Sequence, residues 1–200
     1  MLIIVDCEMG NLGSIFNMLK KIGVESKISK NPEEIDSAEK LILAGVGSFD
    51  SAMKKLAEMQ LIPVLNKKAL VDKIPVLGIC LGMQLMTKGS EEGIIDGLSW
   101  FDARTVRFQT SSIKIPHMGW NEIRIVKEHR LFNSLTDRSR FYFIHSYHVI
   151  CNNEEDILAA TSYGGEFTSV INRHNIFGVQ FHPEKSHRFG MQMLKNFIEL

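Results

Sequence analysis

The chain has 200 residues, 44% hydrophobic and 23% charged, which suits one globular domain over 1–200 and is too apolar for a disordered chain. Its 23 Lys and Arg balance 23 Asp and Glu, and without a cationic surplus neither a nucleic-acid nor an anionic-membrane binder is expected. No apolar run reaches the ~18 residues that span a bilayer, and residues 1–6 meet an acid too early for a secretory signal.

Residues 2–5 form a continuous apolar run, read as a buried strand closed by Asp6 and a Gly10-Asn11 turn. Leu12, Ile15, Phe16, Leu19 and Ile22 then recur at helical spacing up to Gly23. Strands are predicted over 24–28, 41–43 and 75–79, with helices over 51–58 and 63–71 and another from about Leu81. This alternation implies a parallel sheet, because each right-handed crossover needs a helix to return the chain. Beyond Thr105 the texture changes. Runs at 122–126, 140–144, 169–171 and 176–181 suggest further strands, some antiparallel, and Phe189, Met193, Leu194, Phe197 and Ile198 line one face of a last helix. The predicted fold is α/β: a mostly parallel central sheet flanked by helices in three layers, with an antiparallel annex.

Cys7, Cys80 and Cys151 form an odd set without a Cys-x-x-Cys pair. That points away from a disulfide scaffold and a zinc site and towards a reducing cytoplasm, where each thiol is judged by its surroundings. His145 and His148, three apart on a predicted strand, would face opposite ways, so neither a metal nor a cofactor is expected.

Gly78-Ile79-Cys80-Leu81-Gly82 lies where a strand turns into a helix. A nucleophile on so sharp a turn needs small residues two positions before and after it, since side chains there would strike neighbouring backbone. The elbow would raise Cys80 above the sheet edge near a helix N-terminus, which favours thiolate, and would aim the Leu81 amide at a developing oxyanion. The pentapeptide by itself is equally compatible with a buried thiol in a Gly-rich turn. A thiol nucleophile also needs a base and the base an orienter. Among seven histidines, His182 follows a strand and opens His182-Pro183-Glu184. The extended geometry before proline would put residues two apart on one side, letting Glu184 fix the imidazole tautomer.

Gly78-Ile79-Cys80-Leu81-Gly82-Met83-Gln84 with Gly178-Val179-Gln180-Phe181-His182-Pro183-Glu184 resembles the class I, triad-type glutamine amidotransferases. Asp6 to Ser14, Gly45-Val46-Gly47-Ser48-Phe49, Pro116-His117-Met118-Gly119-Trp120-Asn121 and Tyr142-Phe143-Ile144-His145-Ser146-Tyr147 extend the likeness to the branch that forms the glutaminase subunits of imidazole glycerol phosphate synthases. The resemblance implies that Cys80 attacks the glutamine amide to form a thioester, with His182 as acid and base and Glu184 orienting it. It further implies an oxyanion strand at Val46 and Gly47 that works with Leu81. Gln84, Glu92, Ser146 and Tyr147 would then hold glutamine, and Asn11, Tyr142 and Lys185 would border the ammonia exit. The implied partner is a (βα)8-barrel cyclase that forms a heterodimer with this chain. Two departures stand out: Cys7-Glu8 in the first loop, and Ala44 where the family commonly has proline before the oxyanion strand. The same chemistry could instead feed an N-acetyl sugar amidotransferase in surface-polysaccharide synthesis. More distant alternatives are a cysteine hydrolase and a non-catalytic binding subunit.

Overall fold

The computed structural model describes residues 1–10, 12–109 and 113–200. The first half builds β1 (Leu2–Val5), α1 (Gly13–Lys21), β2 (Ser26–Ser29), α2 (Pro32–Asp36), β3 (Lys40–Gly45), α3 (Phe49–Glu58), α4 (Leu61–Asn66), β4 (Val76–Cys80) and α5 (Leu81–Leu85). The second half adds β5 (Ala103–Arg107), β6 (His117–Glu122), β7 (Arg124–Ile125), β8 (Arg140–His145), β9 (Tyr147–Cys151), β10 (Ile157–Ser162), β11 (Glu166–Arg173), β12 (Ile176–Val179) and α6 (His187–Ile198). Past Asn66 the predicted helix 63–71 widens into a π-helical turn over Lys67–Val71.

Among the described residues ten strands form one sheet, with the path β2-β1-β3-β4-β12-β11-β10-β7 and with β9 bridging β11 to β5. The pairs from β2 through β12 are parallel, and β11 onward is antiparallel. Side chains alternate across β1, so Ile4 packs with Leu19, Met193 and Phe197 on the α1–α6 side. Ile3 and Val5 pack with Phe49, Leu56 and Leu65 on the α3–α4 side. A sheet buried on both faces needs unbroken apolar strands, which is why 2–5, 41–43 and 76–79 carry no polar alternation.

The predicted strand 122–126 is corrected. The chain divides at Ile123: β6 pairs with β8 as a separate two-stranded sheet, and β7 crosses to β10. Ile123 is buried at the crossing; period-two patterning reports burial, not a change of partner. The expectation that His145 and His148 face apart is also corrected. Ser146 separates β8 from β9, which resets the alternation, and both rings contact Phe108.

Candidate active site

Three neighbouring parallel strands, β3, β4 and β12, deliver the site to the carboxyl end of the sheet. In register, Cys80 lies beside Gly45 at the end of β3, and Ile79 lies beside Val179 at the end of β12, three residues before His182. Ligand crevices of parallel sheets form at such carboxyl ends.

Cys80 has φ +52° and ψ −105°, a conformation that costs a non-glycine residue about 1–3 kcal/mol and marks functional turns. The flanking glycines are required by close approach. A Cβ at Gly82 would lie 1.8 Å from the Leu43 carbonyl oxygen, and one at Gly78 would lie 2.7 Å from the Met83 nitrogen. The elbow is therefore physical, and its thiol lines a cavity of about 280 Å³ shared with Val46, Gly47, Leu81, Gln84, Glu92, Ser146 and Tyr147. That is small beside the ~300–1,000 Å³ of drug-sized pockets and suits an amino acid. Neither other cysteine lines it. Burial raises the pKa of the Cys7 thiol and pushes that of Cys151 up to about 12.

His182 Nδ1 donates to Glu184 Oε1 at 2.6 Å, with both side chains buried. His182 itself is extended, but Pro183–Lys185 forms a single 3-10 turn, so Glu184 reaches the ring by curling back rather than by sharing a strand face. The backbone is anchored as well: His182 N donates to the Tyr142 carbonyl at 2.9 Å, and Ser186 Oγ joins the His182 carbonyl to Tyr142 N. Burial lowers the pKa of His182, but hydrogen bonding and charge from Cys80 and Glu184 outweigh it and push the value up to about 10. Among the described residues Nε2 nonetheless has no hydrogen-bond partner at ordinary distance, so the ring sits within electrostatic reach of the sulfur without a tight bond to it.

Glu92 Oε2 accepts from Phe49 N at 2.8 Å, capping α3, while Asp50 accepts from Ile94 N and Ile95 N. This reciprocal clasp fixes Glu92 at the cavity wall. Its neighbour Glu91 instead accepts from Arg107 N. The Val46 N–H is engaged with the Met9 carbonyl at 3.1 Å, so in this state the predicted oxyanion amide serves a structural bond. Lys185 lies over the Tyr142 ring at 5.8 Å, outside the cavity. Asn11 lies outside the described residues. In the divergent first loop Cys7 is buried against strand β3, with Sγ 3.9 Å from the Ala44 carbonyl, and Glu8 pairs with Lys30 and Lys55 at the surface. Gln180 lies within the motif around His182, where the sequence assigns it no role, yet its amide contacts both Gln84 and the Cys80 sulfur. Among the described residues no helix is long and apolar enough to cross a membrane.

Residues 3–200 match the glutamine amidotransferase class-I family. The chain is 54% identical over 200 residues to imidazole glycerol phosphate synthase subunit HisH 2 of Methanococcus maripaludis, covering 100% of this chain and 99% of the relative. It is 46% identical to the HisH 2 subunit of Pseudomonas aeruginosa, with both chains covered in full. The crystal structure of a glutamine amidotransferase from Thermotoga maritima superposes with a TM-score of 0.66 at 20% identity, over 99% of this chain and 80% of that one, a likeness of fold. With a family match from residue 3 to the last residue and relatives similar over their whole length, the chain belongs to the class I glutamine amidotransferases.

Proposed function

We propose that this chain is the glutaminase subunit of an imidazole glycerol phosphate synthase. In this reading it hydrolyses glutamine to glutamate and supplies ammonia to a cyclase partner in cytoplasmic histidine biosynthesis, with residues 1–200 working as one amidotransferase domain. The observation that carries this reading is identity of 54% and 46%, end to end, to subunits of that synthase.

In this mechanism the Cys80 sulfur attacks the carboxamide carbon, and the charge gathering on oxygen is met by the Leu81 amide and, after its peptide turns, by Val46. His182, protonated between sulfur and carboxylate, gives its Nε2 proton to the departing ammonia. It then takes a proton from the water that cleaves the thioester. Glu184 keeps Nδ1 protonated and the ring in place. Gln84, Glu92 and the backbone around Ser146 and Tyr147 hold the α-amino and α-carboxylate end of the substrate. Behind the triad a second cavity of about 20 Å³ touches Met9, Gly10, Val46, His182 and Glu184. It has room for one water-sized molecule, which supports an ammonia exit past Gly10, His182 and Glu184, with Tyr142 and Lys185 outside that cavity and assigned to the partner-facing surface by the resemblance alone. On that surface a (βα)8-barrel cyclase would dock as a heterodimer.

Cys80→Ala in the assembled synthase tests this. Glutamine-dependent product formation should vanish while ammonium-dependent formation persists, and surviving glutamine-dependent activity would refute the assignment of Cys80. A second reading, ammonia for sugar amidation, is favoured by the numbered names of relatives such as HisH 2 and the HisH 1 of Campylobacter jejuni, which fit duplicated subunits. Glutamine turnover stimulated only by the sugar-modifying partner would select it.

A further inference from the structure

The three triad residues leave Gln180 unexplained, although its side chain is fully buried beside the nucleophile. Its orientation can be deduced. The Tyr147 carbonyl can only accept, so the Gln84 atom 3.0 Å away must be its amide nitrogen. The same nitrogen lies 3.1 Å from the Gln180 side chain, which therefore presents its oxygen there. The Gln180 nitrogen is then left facing Cys80 Sγ at 3.6 Å, and the sulfur is its acceptor.

The other side of Tyr147 is equally determinate. His145 Nδ1 lies 2.7 Å from the same carbonyl and must carry a proton. Its Nε2 then accepts from His117 Nδ1 at 3.0 Å, and His117 Nε2 accepts from Asn121 Nδ2 at 3.3 Å. Asn121 cannot turn round, because its oxygen accepts from Glu122 N and its nitrogen donates to the Ser162 carbonyl. Burial pushes the pKa of His117 down to about 4 and that of His145 down to about 3, so both rings are neutral at physiological pH. A second proton on His145 would set N–H against N–H between them.

We propose that Gln180 is a positioning residue, whose amide N–H fixes the Cys80 sulfur for attack and is itself held in that orientation by the chain Asn121–His117–His145–Tyr147–Gln84. This rests on Cys80 being the nucleophile, as proposed above. An N–H directed at sulfur gains strength as the sulfur becomes charged.

Gln180→Met keeps length and bulk but removes both amide contacts. In the synthase assembled with its partner, kcat for glutamine should fall about ten- to a hundred-fold, the effect expected for one hydrogen bond to a charged group. KM should stay within about threefold, because Gln84 and Glu92 remain, and alkylation of Cys80 by iodoacetamide should slow in parallel with kcat. A folded Gln180→Met protein with unchanged kcat and alkylation, alongside an inactive Cys80→Ala, overturns the proposal and leaves the nucleophile standing. Turnover surviving in Cys80→Ala removes both. Should Gln180→Met fail to fold, 15N spectra of histidine-labelled wild-type protein decide. Protons on Nδ1 of both His117 and His145 at neutral pH support the chain, and an Nε2 proton or a charged ring on either one overturns it.

Discussion

His182 Nδ1 and Glu184 Oε1 lie 2.6 Å apart with both side chains shielded from water, and the ring's pKa is pushed up to about 10 although burial opposes it. A folded-state value above the ~6.5 of a free imidazole stabilises the fold fully below about pH 6.5, and that stabilisation is lost as pH rises through about 10. Glu184→Gln removes one of the two groups that raise it. The variant should show a flatter decline of urea midpoint between pH 6.5 and 10 than wild type. Its glutamine turnover should also drop about a hundred-fold or more, the usual worth of a positioned acid–base. A wild-type pH profile of both quantities would argue that the carboxylate does not act on the ring.

Gly82→Ala places a Cβ 1.8 Å from the Leu43 carbonyl oxygen, where backbone cannot yield, whereas a Cβ at Gly89 meets nothing closer than 3.9 Å. The first substitution should cost at least about 1–3 kcal/mol through overpacking, and Gly89→Ala should change stability by less than about 0.5 kcal/mol. Urea denaturation of the two variants side by side checks this.

Glu92 serves the cavity and also caps Phe49 N. Glu92→Gln keeps an acceptor oxygen for the cap but removes the charge that, in the proposed mechanism, meets the α-amino group of glutamine. KM for glutamine should rise about ten- to a hundred-fold, the loss expected for a charged hydrogen bond, with kcat and melting temperature changed little. Steady-state kinetics separates this from an effect on chemistry, which would lower kcat instead.

The Val46 amide donates to Met9 in this state, so in the proposed mechanism it must turn before it can meet an oxyanion, a rotation eased by Gly45 on the other side of that peptide bond. The isolated subunit should therefore hydrolyse glutamine at least about tenfold more slowly than the assembly with partner and acceptor substrate, within the ~5–150-fold range of ordinary coupling. Equal rates in a glutamate-release assay would show that the amide is not limiting.

The elbow at Cys80 and the His182–Glu184 pair were legible because short-range sterics fix them: glycines at 78 and 82 around Cys80, and a proline that keeps His182 extended before the turn carrying Glu184. The parallel half was legible because doubly buried strands are written as apolar runs. The division at Ile123 was not, since one buried residue can bridge two sheets without breaking alternation. Gln180 and the His117–His145 pair escaped for a related reason. The contacts that join them to the site include hydrogen bonds between residues 28 and 100 positions apart, which no local pattern encodes.

The central claim, that Cys80 is the sulfur that attacks glutamine, is tested most directly by mass spectrometry after exposing the assembled enzyme to a glutamine-shaped diazoketone, which alkylates the attacking thiol. A single adduct on Cys80, suppressed by excess glutamine, is the predicted result. An adduct on Cys7 or Cys151 that glutamine suppresses, with Cys80 unmodified, would contradict it.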